Sequence, residues 1–234
     1  MAQHVTRKEL TMSLSSGFRG GYTRLDSWFY DTFIAEAAAP MSADLVDVIG
    51  AESPTGPILD VGCGGGQFLG ALARSRPEAS LHGVDYSVAQ VHRAKARLSR
   101  FGVHAQIHHA AAENLPFEDN TFAAVVSAGA IKHWQSQTDG LAEMVRVLRP
   151  GGLLVVGELD RGCTIDDAKH FLALRTGLRF FGPIPLMLFR TYVSGLSIDL
   201  ADAQALVAAL PLTDVEVQRR PGLPVLQFQG RKAA

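Results

Sequence analysis

Cysteine is scarce in this 234-residue chain: Cys63 and Cys163 are the only two. A disulfide-stapled secreted scaffold is therefore not the expected architecture, and a reducing cytoplasm suits the composition better. An excess of one charge is missing as well. Lysine and arginine number 22, aspartate and glutamate 23, and the formal net charge is -1. A dedicated nucleic-acid binder would usually carry a clear basic surplus, so none is expected. Arg219-Arg220 is too short a basic run to count and reads as a solvated strand end. No apolar stretch is long enough to cross a bilayer. Phe180 to Phe189 comes nearest and is interrupted by Pro183 and Pro185. Met1 to Leu10 holds His4, Arg7, Lys8 and Glu9 and no apolar signal core, so neither a transmembrane segment nor a leader is expected.

What the chain does have is apolar content, 47% of residues, ample for one well-packed core. Between Ile58 and Leu159 short apolar runs alternate with helical patterns. Ile58 to Val61, Leu81 to Val84, Val103 to Ile107, Phe122 to Val126 and Leu153 to Val156 read as strands. Phe68, Leu69, Leu72 and Ala73 follow the first strand at helical spacing. Val88, Val91, Ala94, Leu98 and Phe101 follow the second, and Leu141, Met144, Val145 and Leu148 the fourth. Arg149-Pro150-Gly151-Gly152 predicts a tight turn. Strand and helix in alternation imply right-handed crossover units, so an α/β fold with a doubly wound, mostly parallel, seven-stranded sheet is expected.

One domain spanning 1–234 is expected, with a helical cap (1–56), a binding core (57–160), an apolar insertion (161–198) and a closing helix and strands (199–234). In the cap, Leu25 to Ala38 carries Trp28, Phe29, Phe33 and Ile34, and Ser42 could cap a second helix running to Gly50. The closing strands are placed near Val215 to Val217 and Val225 to Phe228.

Asp60-Val61-Gly62-Cys63-Gly64-Gly65-Gly66 stands where the first strand ends and a helix opens. In open α/β sheets ligands bind there, because glycine lets backbone approach closely and the helix start offers unpaired N–H groups. A dinucleotide fingerprint fails: in its two registers the third glycine would be Gln67 or Leu69. No Gly-Lys-Ser/Thr follows, so a P-loop is excluded too. The pattern that remains is Asp60, Gly62, Gly64, Gly66 at alternate positions.

With this loop stand His82-Gly83-Val84-Asp85-Tyr86-Ser87, Ala112-Glu113-Asn114-Leu115-Pro116-Phe117 running on to Phe122, and Glu143-Met144-Val145-Arg146-Val147-Leu148-Arg149-Pro150-Gly151-Gly152. In this order and spacing the chain resembles the class I S-adenosylmethionine-dependent methyltransferases, and among them the small-molecule group that includes quinone-biosynthesis enzymes. The resemblance implies S-adenosylmethionine as cofactor and S-adenosylhomocysteine as product. It implies that Gly62, Cys63 and Gly64 lie against the methionine part, that Gly66 belongs to the same cofactor-binding loop, that Asp85 accepts from the ribose hydroxyls, and that Tyr86, Ala112 and Glu113 flank the adenine. Ala128 would border the methionine. Asp60 either braces the loop or meets the ligand. Ala111 stands where relatives often carry aspartate, which leaves the partner of the adenine amino group open, and Ala123 likewise replaces the aspartate that often follows Phe122.

His133, in Ala130-Ile131-Lys132-His133-Trp134, is the candidate base; its other reading is a helix cap or pocket wall. Lys132 is read as solvent-facing. His104, His108 and His109 are read as a surface strand and Asp166-Asp167 as a helix start, so no metal is expected. Phe171, Phe180, Phe181, Leu186 and Phe189 crowd the insertion. That surface must face the core, an apolar acceptor, a homodimer partner or a membrane. The expected activity is methyl transfer to oxygen or carbon of an aromatic, quinone-like or lipid-like molecule. The alternative is a protein that keeps the cofactor pocket without turnover.

Overall fold

A computed structural model describes residues 39–52, 56–173, 186–187 and 189–234. Seven strands form one sheet in the order β3-β2-β1-β4-β5-β7-β6. They are β1 (Ile58–Val61), β2 (Leu81–Asp85), β3 (Ala105–His109), β4 (Phe122–Ala128), β5 (Leu148–Leu159), β6 (Leu212–Arg219) and β7 (Val225–Lys232). Strands β1 to β5 pair in parallel, while β7 runs antiparallel to β5 and to β6. The expected doubly wound sheet is present. Its strand order reverses at β1, from which the chain first moves outward to β2 and β3 and then returns to β4 on the other side. A crevice opens at such a reversal, beyond the carboxyl ends of β1 and β4.

The central strands are apolar runs because both of their faces are covered. One face packs Ile58, Ala124, Val126, Leu153 and Val155 against α1 (Ala39–Glu52), α2 (Gln67–Ser75) and α3 (Val88–Arg100). The other packs Leu59, Val61, Val125, Leu154 and Val156 against α4 (Gln137–Val147) and α6 (Leu200–Ala208). Ser87 caps α3 by accepting from Gln90 N–H, and Ser136 caps α4 by accepting from Asp139 N–H. Asp199 and Asp202 close a reciprocal capping box on α6.

Several boundaries differ from the expectation. β3 begins two residues later than Val103, because Val103 N–H closes the end of α3 on Leu98 O. The turn at Arg149–Gly152 lies inside β5 rather than before it. Phe122 pairs with Leu148 and Ala124 with Leu153, so the intervening residues bulge out and Gly151 takes φ 71°. Ser42 is no helix cap, since α1 already runs from Ala39. Arg219 and Arg220 are not simply solvated: Arg219 Nε donates to buried Asp160 at 2.7 Å and Arg220 Nη2 lies 2.9 Å from Asp44. α5 (Ile165–Ala173) starts at the Thr164–Asp167 pair, in accord with the helix-start reading of Asp166-Asp167.

Of the insertion, Phe171 and Phe189 are buried with ring centroids 5.2 Å apart, in the same core as Met41 and Leu159. The helix expected over Leu25 to Ala38 and the apolar residues Phe180 and Phe181 lie outside the described residues. Among the described residues no helix is long and apolar enough to cross a membrane.

Candidate active site

The crevice is a single cavity bordered by the tips of β1, β2 and β4. Asp60, Gly62, Cys63, Gly64, Asp85, Tyr86, Ala112, Glu113, Ala128 and His133 all line it. Gly66 does not. Its φ of 77° opens α2, and a side chain there would press on Ala94 of α3, so this glycine brings two helices together.

Gly62 has φ 79°, and a Cβ added to it would overlap Ala130 Cβ. The glycine loop therefore locks against the turn that follows β4. Gly62 and Cys63 both donate their N–H to Val84 O, at 2.8 and 2.9 Å, which ties the loop to β2. Asp85, at the tip of β2, accepts from Gly64 N–H at 2.9 Å through one oxygen and from Ser87 N–H at 2.8 Å through the other. It braces both loops, and each oxygen keeps lone-pair capacity for a further donor. Burial raises its carboxyl above the ordinary value, against the pull of those two N–H groups.

Asp60 is buried, and both of its oxygens lack a hydrogen-bond partner. Burial first, and the charge of Asp85 second, push its carboxyl up from 3.8 to about 8. It does not brace the loop by hydrogen bonds, which was one of its two readings. A buried unpaired carboxyl calls for an explanation, and a cationic or donor group entering the cavity supplies one.

The raised value also has a consequence for stability. A carboxyl that holds its proton more tightly when folded contributes stability that is complete below about pH 4 and is lost as pH climbs toward about pH 8. Asp60→Asn is therefore expected to be more stable than the wild type at about pH 8 in ligand-free protein, by about 2 kcal/mol or more, with the gap narrowing toward about pH 5. Thermal melts at the two pH values check this; a gap that does not depend on pH would refute it.

Cys63 is buried against the two aspartates, and burial and their charge push its thiol well above the usual range. It packs and has no thiolate to react with. Glu113 Oε1 accepts from Ser136 N–H at 3.0 Å, joining the loop after β3 to the start of α4. Tyr86 is exposed at the rim, and His109 Nε2 lies 2.8 Å from its carbonyl oxygen.

His133 closes a turn, Ile131–His133, just past β4, and its N–H donates to Ala130 O at 2.9 Å. His133 lines the cavity and is exposed to solvent. Partial desolvation by the cavity wall, followed by the charge of Lys132, lowers the imidazole below its ordinary value. A shift in that direction favours the neutral ring at physiological pH.

Lys132 is not solvent-facing: its ammonium pairs with fully buried Glu158 at 2.8 Å. Asp160 is occupied as well, by Gly162 N–H and Arg219. His108 stacks on His82 with ring centroids 6.4 Å apart. Among the described residues no group of three His, Cys, Asp or Glu is arranged to hold a metal.

Met41 and Ser42 of α1, Gln67 and Phe68 of α2, and Gln90 of α3 also line the cavity and were not anticipated. Gln90 left a signal. It stands one turn before Ala94 and two before Leu98 on the apolar face of its helix, a costly place for an amide. It is buried, and its Oε1 has no partner. Met41 and Ser42 left none, since a helix before the first strand reveals nothing of where it docks.

A family described as a methyltransferase domain matches residues 58–152. Methyltransferase GfsG of Streptomyces halstedii is 30% identical over 202 residues, covering 82% of this chain and 67% of that one. The ubiquinone/menaquinone biosynthesis C-methyltransferase UbiE of Geotalea daltonii is 34% identical over 128 residues, covering 53% of this chain and 54% of its own, so the chain spans about half the length of that relative. The crystal structure of a SAM-dependent methyltransferase from Aquifex aeolicus superposes with a TM-score of 0.60 at 16% identity, covering 81% of this chain and 88% of that one, a likeness of fold. With the glycine loop and the acid at the second strand tip now placed on one crevice, and the family's motifs in order along the chain, the chain belongs to the class I S-adenosylmethionine-dependent methyltransferases.

Proposed function

We propose that this protein transfers the methyl group of S-adenosylmethionine to oxygen or carbon of a small, largely apolar acceptor of aromatic, quinone-like or lipid-like character. The observation that carries the reading is the cavity, which gathers a close-approach glycine loop, an acid at the tip of β2 and an unpaired buried carboxyl. An amino-acid nucleoside needs those three features together. Gly62, Cys63 and Gly64 would hold the methionine part by backbone, with Asp60 facing its ammonium and Ala128 beside it. Asp85 would accept from the ribose, and such bonds to a carboxylate are about twice as strong as neutral ones. Tyr86, Ala112 and Glu113 would flank the adenine.

When bound, the cofactor supplies a methyl group already activated by its sulfonium. What remains for the chain is to align the acceptor and keep water out, and alignment alone is worth ~7–11 kcal/mol. His133, neutral and open to the cavity, would take the proton of an acceptor hydroxyl. The relatives favour a small acceptor: one is named a quinone-biosynthesis C-methyltransferase, and another, of Penicillium expansum, an O-methyltransferase. A cytoplasmic setting is proposed with it, supported by two free, buried cysteines.

Calorimetric titration with S-adenosylhomocysteine, followed by a screen of phenols, reduced quinones and fatty acids for S-adenosylhomocysteine formation, tests the reading. Saturable binding and turnover on one of these acceptors is the expected result. Turnover only on proteins or nucleic acid would overturn the acceptor class, and binding without turnover on any acceptor would favour a binding protein.

A further inference from the structure

Glu158 closes the apolar run of β5 and is completely buried, as is most of the Lys132 side chain, 5% of which is exposed. Neither residue lines the cavity. Two charges taken out of water are costly, and an apolar pair of similar volume is often as stable or more so. Stability alone therefore leaves this pair unexplained. Its geometry does not.

Glu158 Oε1 accepts from Lys132 Nζ at 2.8 Å and from Leu159 N–H at 2.7 Å, while Oε2 accepts from Lys132 N–H at 3.3 Å. Lys132 Nζ also donates to Gly129 O at 2.6 Å, and Gly129 N–H donates to Gly157 O at 2.7 Å. The end of β5 thus grips the turn after β4 through main chain and side chain at once. The residues that follow, His133 and Trp134, face the cavity, and the residue within the turn, Ala130, bears on Gly62. A carboxylate oriented by its own backbone and holding both the ammonium and the N–H of one residue allows that turn a single placement.

We propose that Glu158 is a positioning residue which, through Lys132, holds the turn bearing His133 and Trp134 at a fixed distance from the glycine loop. The inference rests on the methyl-transfer reading for its consequence, since a displaced turn would misplace the acceptor or its base. A misplacement of about 1 Å is enough to cost ~10²-fold in rate.

The test uses Glu158→Gln and the paired apolar variant Lys132→Met with Glu158→Leu, which leaves no charge buried alone should the first fail to fold. Protein labelled with 5-fluorotryptophan carries one reporter at Trp134 and one at Trp28, assigned through Trp28→Phe. In the wild type, S-adenosylhomocysteine is expected to move the Trp134 fluorine resonance. In the paired variant the melting temperature is expected to stay at or above that of the wild type. Its Trp134 resonance should nevertheless shift or broaden before any ligand is added, while the affinity for S-adenosylhomocysteine stays within about twofold and turnover on an accepted substrate falls ~10²-fold.

A Trp134 resonance and ligand response equal to the wild type, or turnover within about threefold of it, would overturn the positioning role. So would an affinity that falls in step with the rate. Wild-type protein that binds no S-adenosylhomocysteine would instead sink the methyl-transfer reading, and the ligand-free resonance would still report on the clamp.

Discussion

Replacing His133 by alanine is expected to lower turnover at least ~10²-fold at neutral pH while leaving the affinity for S-adenosylhomocysteine within about twofold. The ring faces the cavity from the turn past β4, whereas the brace on the glycine loop comes from β2. Its loss should therefore fall on the chemical step and spare cofactor binding. Partial desolvation and the charge of Lys132 lower the imidazole, which favours the neutral form a base requires.

The same shift limits the effect. A base whose conjugate acid loses its proton so readily is weak, so it contributes most when the acceptor hydroxyl is itself acidic, as in a phenol or reduced quinone. Because the folded value lies below the ordinary 6.5, any step the ring leaves in the rate should fall below about pH 6.5. His133→Gln separates the two readings of the residue. Glutamine can still line the pocket and hydrogen-bond but cannot take a proton. A rate as low as that of the alanine variant identifies the base; near-normal turnover in either variant eliminates it.

The second large effect is expected at Gly62. Alanine there must adopt φ 79°, which costs an L-residue about 1–2 kcal/mol. Its methyl group would also overlap Ala130 Cβ, and overpacking costs about 1–3 kcal/mol. Together these come to about 2–5 kcal/mol, so affinity for S-adenosylhomocysteine should fall roughly 30-fold or more, with a lower melting temperature. Gly62→Ala with Ala130→Gly returns the space but leaves the backbone strained. The double variant should thus recover the overlap part and keep the dihedral part. A single variant that binds within about threefold of the wild type would show that loop and turn are not locked together.

How much was legible can be read from particular residues. β1 and β2 are recognisable because they are short apolar stretches ended by glycine or aspartate, and α3 because Val91, Ala94 and Leu98 recur at helical spacing. The glycine loop and Asp85 could be placed at strand tips, since their position follows from local pattern and from the handedness of crossovers. The bulge inside β5 could not be placed. Pro150 and Gly151 signal a turn, but only pairing with β4 decides that the strand resumes its neighbour on both sides of it.

Lys132 and Glu158 show the larger limit. Each alone reads as a surface charge or a candidate ligand, and they are 26 residues apart. Asp160 and Arg219 repeat the case at a separation of 59. By itself the sequence determined the layered α/β sheet, the family and the places where a ligand meets backbone, because these depend on periodicity and on residues with special φ. Tertiary structure alone decided which charges are buried, which carboxyl is left unpaired and which turn bears on the glycine loop. Desolvation and close contact depend on what distant segments bring to the same point, and no local pattern encodes that meeting.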